Sequence, residues 1–330
     1  MADQNQSMEF NYHWGRGLKI PEANLTFGGY AHFSYENFEH QSDKAGIDDL
    51  SLFITWDPTS RLHLFSELEF EDAISTDGTE FSQKTFFVER LYADFLINDS
   101  FSLRFGKFLT PVGIWNTIHA APLVWTTTRP LITEEFIFPA HSNGLMLNSH
   151  LILNDQNLEI SLYADNSQHL DPHKKNISFK NALGLRINYE FMDHLHFGFS
   201  YLAFKNQAKF YPTDRNHLFG IDLIWKRKGV EIQGEFIHRR APEQRGNETG
   251  LYLQAVLPLG HHFSAVGRYE FLEGTHQKEN ILENSTIHLG IAGLAWRPYS
   301  PMVFKVEYRF GGDDSIIVQD GFFASFSTFF

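Results

Sequence analysis

Residues 183–203 read LGLRINYEFMDHLHFGFSYLA. Leu183, Leu185, Ile187, Tyr189 and Phe191 alternate with Gly184, Arg186, Asn188 and Glu190. After Met192-Asp193-His194 the pattern restarts with Leu195, Phe197, Phe199 and Tyr201. A period of two marks a strand with one apolar and one polar face, and two such runs across a short turn form a hairpin. Sixteen segments of this kind follow one another from Asn24 to the end. They begin with Leu25, Phe27, Gly29, Ala31, Phe33 and Tyr35 and end with Phe322, Ala324, Phe326 and Phe330.

Alternation alone suits a soluble sandwich as well as a barrel; the connections decide between them. Short ones, such as Asp57-Pro58-Thr59-Ser60, Asn98-Asp99-Ser100, Asn154-Asp155-Gln156 and Pro258-Leu259-Gly260-His261, alternate strictly with long polar ones near 37–46, 73–83, 109–142, 167–179, 206–215, 241–248, 274–284 and 312–319. Short turns on one side and long loops on the other are the pattern of a transmembrane β-barrel. The expected fold is therefore all-β, an antiparallel up-and-down barrel of about sixteen strands over 24–330. Residues 1–23 form a periplasmic N-terminal segment.

Composition agrees. The 330 residues include 33 Phe at a mean hydropathy of −0.28, and no run of eighteen apolar residues could form a spanning helix. Cysteine is absent, which removes disulfide and thiolate chemistry. A net charge of −13 argues against a nucleic-acid partner. The start, Met1 to Gln6, lacks the basic and apolar regions of an export signal, so on the membrane reading the numbering begins at the mature chain. Two residues break the outward parity: Glu89 follows the face of Leu91, Ala93 and Phe95, and Lys107 that of Phe101, Leu103 and Phe105. Both fall towards the external strand ends, where a bulge or the headgroup zone tolerates a charge.

Sixteen strands enclose an aqueous lumen. The connection 109–142 is far longer than the others and carries Val112, Ile114, Trp115, Leu123, Val124, Trp125, Leu131, Ile132 and Phe138. A loop so apolar must pack on something, either inward against the wall, with Phe65 and Tyr92 as receivers, or over a neighbouring subunit as a latch. The expected pore-lining and constriction residues are Glu67, Arg90, Asp94, Arg104, Arg186, Glu231, Glu235, Arg268 and Glu307 on the wall, and His119, Arg129, Glu134 and Glu135 on the loop. Opposed charges across a narrow water-filled opening favour polar solutes. Any one of them could instead pair with a neighbour and stiffen the wall. The overall acidity points to a weak cation preference, although acidic external loops could also bind divalent ions that bridge lipopolysaccharide. No metal ligand set or cofactor motif is evident. The terminal Phe330 matches the aromatic end by which the barrel-assembly machinery recognises its clients.

The stretch FVERLYADFLINDSFSLRFGKFLTPVGIWN, residues 87–116, resembles the strand-turn-strand signature of the phosphate-selective (polyphosphate/phosphate) porin superfamily. The Trp14–Ile20 and Leu25–Tyr30 segments are similar to that group's N-terminal strand. Arg104, Gly106, Lys107, Thr110, Pro111 and Gly113 fall in the signature. The resemblance covers the first third of the chain and implies a sixteen-stranded, homotrimeric porin of the Gram-negative outer membrane. Its third loop would fold inward, and small hydrophilic solutes, lipid and lipopolysaccharide would be its partners. Residues 117–142 hold one Arg and no Lys, so the barrel carries over and phosphate specificity does not.

The expected function is passive diffusion of ions and small solutes through a channel, not enzymatic. An anion- or phosphate-selective porin is the alternative within the class. A barrel hydrolase would need a constellation around residues such as His141, His150, His169, His173 or His196, none of which sits in a local motif. A soluble all-β binding protein is the remaining alternative.

Overall fold

The computed structural model describes residues 9–38, 43–76, 86–134, 138–165, 179–206, 215–241, 247–278, 281–311 and 318–330. A small N-terminal hairpin, β1 (Asn11–His13) and β2 (Gly17–Ile20), leads through a 3-10 turn at Pro21–Ala23 into the barrel. Eight barrel strands follow: β3 (Leu25–Phe38), β4 (Lys44–Thr59), β5 (Leu62–Ser75), β6 (Phe86–Asn98), β7 (Phe101–Leu109), β8 (His141–Leu153), β9 (Gln156–Asp165) and β10 (Phe179–Phe191). The second eight are β11 (Leu195–Asn206), β12 (Arg215–Arg227), β13 (Val230–Arg240), β14 (Glu248–Gly260), β15 (Phe263–Lys278), β16 (Ile281–Trp296), β17 (Met302–Phe310) and β18 (Gly321–Phe329). Each pairs antiparallel with the next, and β18 pairs with β3 to close a sixteen-stranded barrel. Closure leaves no barrel strand with an unpaired edge, the condition for crossing a bilayer with strands.

The outward residues form an apolar surface. Phe105, Leu91, Leu183, Leu253, Phe219 and Phe236 are all exposed, while their strand neighbours point inward and are mostly buried or half-buried. Exposed apolar area on this scale is stable in lipid and not in water. Near the short-turn end, Phe263, Trp296, Phe304 and Phe326 make a continuous row of ring contacts at 4.6–5.6 Å. Such a row is the aromatic girdle expected at a membrane interface.

Short turns have sharp geometry. Asn154-Asp155, Lys228-Gly229 and His261-His262 all have positive φ at both central residues, the primed turns that match strand twist. The expected turn at Pro258–His261 is thus displaced, because β14 runs to Gly260. The stretch 274–284 is also corrected. Apart from residues 279–280, which lie outside the described residues, it is a paired ribbon from Gly274↔Ser285 to Lys278↔Ile281.

Both parity breaks have physical explanations. The β5–β6 register shifts between Glu67 and Leu68, leaving Glu89 as the extra residue of a β-bulge. Glu89 and Arg90 therefore both turn inward, opposite Glu67, and Glu89 is buried. Lys107 donates from Nζ to the carbonyl of Val88 at 2.8 Å, beside the bulge. At the seam, Phe330 exchanges backbone hydrogen bonds with Gly29 at 3.0 and 3.2 Å. Its ring covers the space that a Cβ on Gly29 would take.

Candidate functional site in the barrel interior

The segment between β7 and β8 packs against the inner face of its own barrel. Its apolar side chains Val112, Trp115, Val124, Leu131, Ile132 and Phe138 share one cluster with inward residues of the far wall, among them Leu202, Phe204, Leu218, Ile237, Tyr252, Leu272, Ile287 and Leu289. Of the two expected receivers, Tyr92 touches this cluster; Phe65 stacks on Tyr92 at 5.3 Å. The main receiver is an apolar patch on β11–β16. Its trace in the sequence is the apolar residues that occupy the inward parity there.

Polar anchors fix the loop in register. Glu235 accepts from the Trp115 amide and the Tyr252 hydroxyl, both at 2.8 Å. Glu307 accepts from the amides of Thr127 and Thr128 at 2.8 Å and from the Thr128 hydroxyl at 2.6 Å. Arg268 pairs with Glu270 at 2.7 Å and donates to Thr126 Oγ1, to the Thr128 carbonyl at 3.0 Å and to Thr128 Oγ1 at 2.9 Å. Glu270 in turn accepts from the Leu131 amide, 2.6 Å away, where the single helical turn α1 (Leu131–Glu134) begins. Lys305 caps the carbonyls of Ala121 and Thr126 at 3.1 and 3.0 Å, and Arg297 those of Pro122 and Val124 at 2.7 and 3.0 Å. Buried charges persist when each meets several partners, and each of these anchors does.

Gly113 shows how close the fit is. Its φ is +66, and a Cβ built there runs into the Glu235 carboxylate. Gly113→Ala is expected to disturb the Trp115–Glu235 contact at a cost of roughly 1–3 kcal/mol in loop seating. Fluorescence of the refolded barrel with the other five tryptophans replaced by Phe, so that Trp115 alone emits, is the check, with a red shift and easier quenching expected.

A second cluster joins the loop to the bulge. His141 Nε2 lies 2.8 Å and His119 Nε2 3.7 Å from Glu89 Oε1. Burial, with the Arg129 guanidinium nearby, pushes the loop residue His119 down to about 3. It is therefore neutral near pH 7 and packs without adding a charge to the Arg129 side.

The third feature lies on the near wall, β5–β10, and reaches across to Ser200 of β11 and Asp222 of β12. Arg104 holds Asp94 in a two-bond pair at 2.7 Å and stacks 3.7 Å above the Tyr92 ring. Arg90 pairs with buried Glu67 and lies 4.7 Å over Phe65. Arg186 pairs with Asp222 and donates to Ser200 at 2.9 Å. Stacking and pairing together fix the planar guanidinium groups.

Two cavities border this wall. One of about 390 Å³ is lined by Arg90, Arg104, Arg186, Asn148, Ser161 and Glu159. The other, of about 540 Å³, lies towards the long-connection end. Its carboxylates are Glu36, Asp48, Asp49, Glu69, Glu71, Asp72 and Glu89, with the cations Lys44, Arg129 and Arg309. Leu109 borders both cavities.

The expected site residues therefore divide. Arg90, Arg104, Arg186, His119 and Arg129 line the two cavities, with Glu67 and Asp94 as partners of the first two. Glu235, Arg268 and Glu307 hold the loop. Glu231 pairs with Lys226 at 3.1 Å near a short turn, away from both cavities. Glu134 ends α1 and its side chain is outside the described set; Glu135 lies outside the described residues. The sequence reading missed Asp48, Asp49, Glu69, Glu71 and Glu89 in the acidic cavity, and Glu270, Lys305 and Arg297 as anchors. Of the histidines, His150 lies 3.6 Å from Glu159 and His196 3.8 Å from Glu190, while His169 and His173 are outside the described residues.

No family model matches the sequence. A stretch of 116 residues is 34% identical to an uncharacterized protein of Aquifex aeolicus (strain VF5); it covers 34% of this chain and only about a quarter (26%) of that protein. Solved structures give fuller coverage. The Salmonella typhi OmpF complex with daunomycin superposes with a TM-score of 0.68 at 13% identity, covering 94% of this chain and 98% of that one. The anion-selective porin from Comamonas acidovorans gives 0.64 at 12%, covering 93% and 99%. The outer-membrane channel DcaP of Acinetobacter baumannii gives 0.64 at 11%, covering 96% and 100%. With its sixteen strands closed edge to edge, its apolar outer belt and near-complete superposition on these barrels, the chain has the fold of the outer-membrane porins.

Proposed function

We propose that this chain is a porin of the bacterial outer membrane, a water-filled channel for passive diffusion of ions and small hydrophilic solutes. The loop between β7 and β8 sets its narrowest part, and it has a weak preference for cations. The observation that carries the reading is the position of that loop. It packs on the side of the lumen along β11–β17 and leaves two polar cavities, with Leu109 in the lining of both. Seven carboxylates against three cations in the outer cavity support the preference, since a charged aqueous constriction concentrates counter-ions. The three near-wall arginines do not reverse it, because each is paired with a carboxylate. Assembly as a homotrimer belongs to the same proposal.

Reversal potential under a salt gradient in a planar bilayer tests the preference. The wild type is expected to favour cations modestly. Asp48→Asn, Asp49→Asn and Glu71→Gln together should lower the cation-to-anion permeability ratio by about twofold, towards unity. An anion-selective wild type, blocked by phosphate, would instead establish the anion-porin reading. A folded barrel with no conductance would overturn the channel.

A further inference from the structure

The near-wall cavity, between the root of the loop and the short turns, differs in character from the acidic one. Register sets Ser102 of β7, Asn148 of β8, Ser161 of β9 and Arg186 of β10 side by side in one inward row, which continues to Ser200 of β11. Nearer the short turns, Asn188 lies opposite Glu159, and Glu159 opposite His150. Ser102, Asn148, Ser161 and Asn188 are neutral, half-buried and part of the cavity lining. The Ser161 hydroxyl donates to Asn148 Oδ1 at 2.7 Å, which leaves Asn148 Nδ2 for the cavity. Arg104 uses Nε and Nη2 on Asp94, and Arg90 uses Nε on Glu67. Nη1 of the first and both Nη groups of the second remain as donors where these side chains line the space.

The guanidinium charges are already met. Glu67, Asp94 and Asp222 pair with Arg90, Arg104 and Arg186, and none of these carboxylates belongs to the cavity lining. Asp99 and Glu159 do line it, so an anion would find no surplus of positive charge there. What the cavity offers is a set of oriented donors and acceptors without net charge. Leu109, Pro111 and buried Met146 give it an apolar side at the loop root. A polar row facing an apolar side matches a ring with hydroxyls on its rim and C–H bonds on its faces. The volume of about 390 Å³ lies in the range of cavities that hold small ligands.

We propose that this cavity is a binding subsite for a neutral polyhydroxylated solute of mono- or disaccharide size, held between the Ser102–Arg186 row and the root of the loop. Solute hydroxyls accept from Arg90, Arg104, Asn148 and Asn188, and donate to Ser161 and Glu159. Because the guanidinium charge is met from behind, the same donors hold an uncharged solute loosely enough to release it, as conduction requires. The subsite rests on the channel reading and names the class of solute that the near wall selects.

Saturation-transfer difference NMR of the full chain, refolded in the sugar-free detergent lauryldimethylamine oxide, tests binding with maltose, glucose and glucuronate as probes. Planar-bilayer recording with the same probes tests passage. Maltose and glucose are expected to give saturable transfer and a saturable drop in ionic current, and glucuronate to bind no more tightly than glucose. The double substitution Asn148→Ala, Asn188→Ala should raise the half-saturating concentration by roughly tenfold. Ser102→Phe, which fills the cavity from a third strand, should abolish the transfer. Heat-modifiable mobility on gels shows that each variant barrel has folded. Equal half-saturation in wild type and double variant, or transfer that never saturates, would overturn the proposal. Glucuronate binding roughly tenfold more tightly than glucose would overturn it too, and would assign the near-wall arginines to a carboxylate. A folded wild type that shows saturable transfer but passes no current would support the subsite and overturn the channel reading alone.

Discussion

Replacing residues 112–139 by a short Gly-Ser linker is expected to raise single-channel conductance severalfold, the increase set by the lumen area that the loop vacates. The barrel should survive the change. Its stability resides in sixteen strand pairings that close on themselves, none of which involves the loop. The inward apolar patch of Leu202, Leu218, Ile237, Leu272 and Ile287 would then face water at some cost in stability. Buried anchors such as Glu235 and Glu307 would simply be hydrated. Heat-modifiable mobility on gels reports an intact barrel, and planar-bilayer recording reports the conductance. Unchanged conductance in an intact barrel would mean that the loop lies off the ion path, and the constriction proposal would fail.

Arg268→Ala should have the second largest effect, and it acts on seating rather than on the presence of the loop. Arg268 is buried and bonded both to Glu270 and to Thr126 and Thr128 of the loop. Removing it leaves the Glu270 carboxylate without its cation and takes the guanidinium from both threonine hydroxyls, while the Thr128 carbonyl keeps only the Thr126 hydroxyl as donor. Breaking a buried pair in this way costs roughly 3–5 kcal/mol. That is enough to populate loop positions away from the wall. Recordings should show frequent transitions between conductance levels where the wild type is quiet. Arg268→Lys keeps the charge but not the fork, and should fall between the two. An exposed pair such as Lys44–Asp72 serves as the contrast, because solvent-screened pairs contribute little. A quiet channel from Arg268→Ala would show that the apolar cluster alone seats the loop.

Much of the barrel was legible in local pattern. Alternation at Leu183–Phe191 and Leu195–Tyr201 names a strand, a turn and a strand without reference to the rest of the chain, and short and long connections follow from spacing. The errors fell where pattern stops being local. Residues 274–284 look like a polar loop, yet the backbone of a ribbon needs only pairing, which two polar strands supply. Glu89 looks outward on parity, and the bulge that turns it inward is a property of the β5–β6 pairing. The pairing itself depends on how many residues the partner strand offers.

The interior was less legible. Arg104 and Asp94 face each other across one hairpin, so spacing alone finds them. Glu235, Arg268 and Glu307 were recognised as inward charges, but their partners on the loop lie more than a hundred residues away in sequence. Whether an inward carboxylate meets an arginine, a loop amide or water is settled only when distant strands are wrapped around one lumen. The sequence by itself determined most of the strands and most of their faces, the alternation of connections and the existence of one long apolar loop, because these depend on neighbours within about ten residues. The tertiary structure alone decided which wall receives the loop, which carboxylates gather in the acidic cavity, and which neutral side chains line up beside the near-wall arginines. Those depend on register and closure, which bring together side chains from strands far apart along the chain.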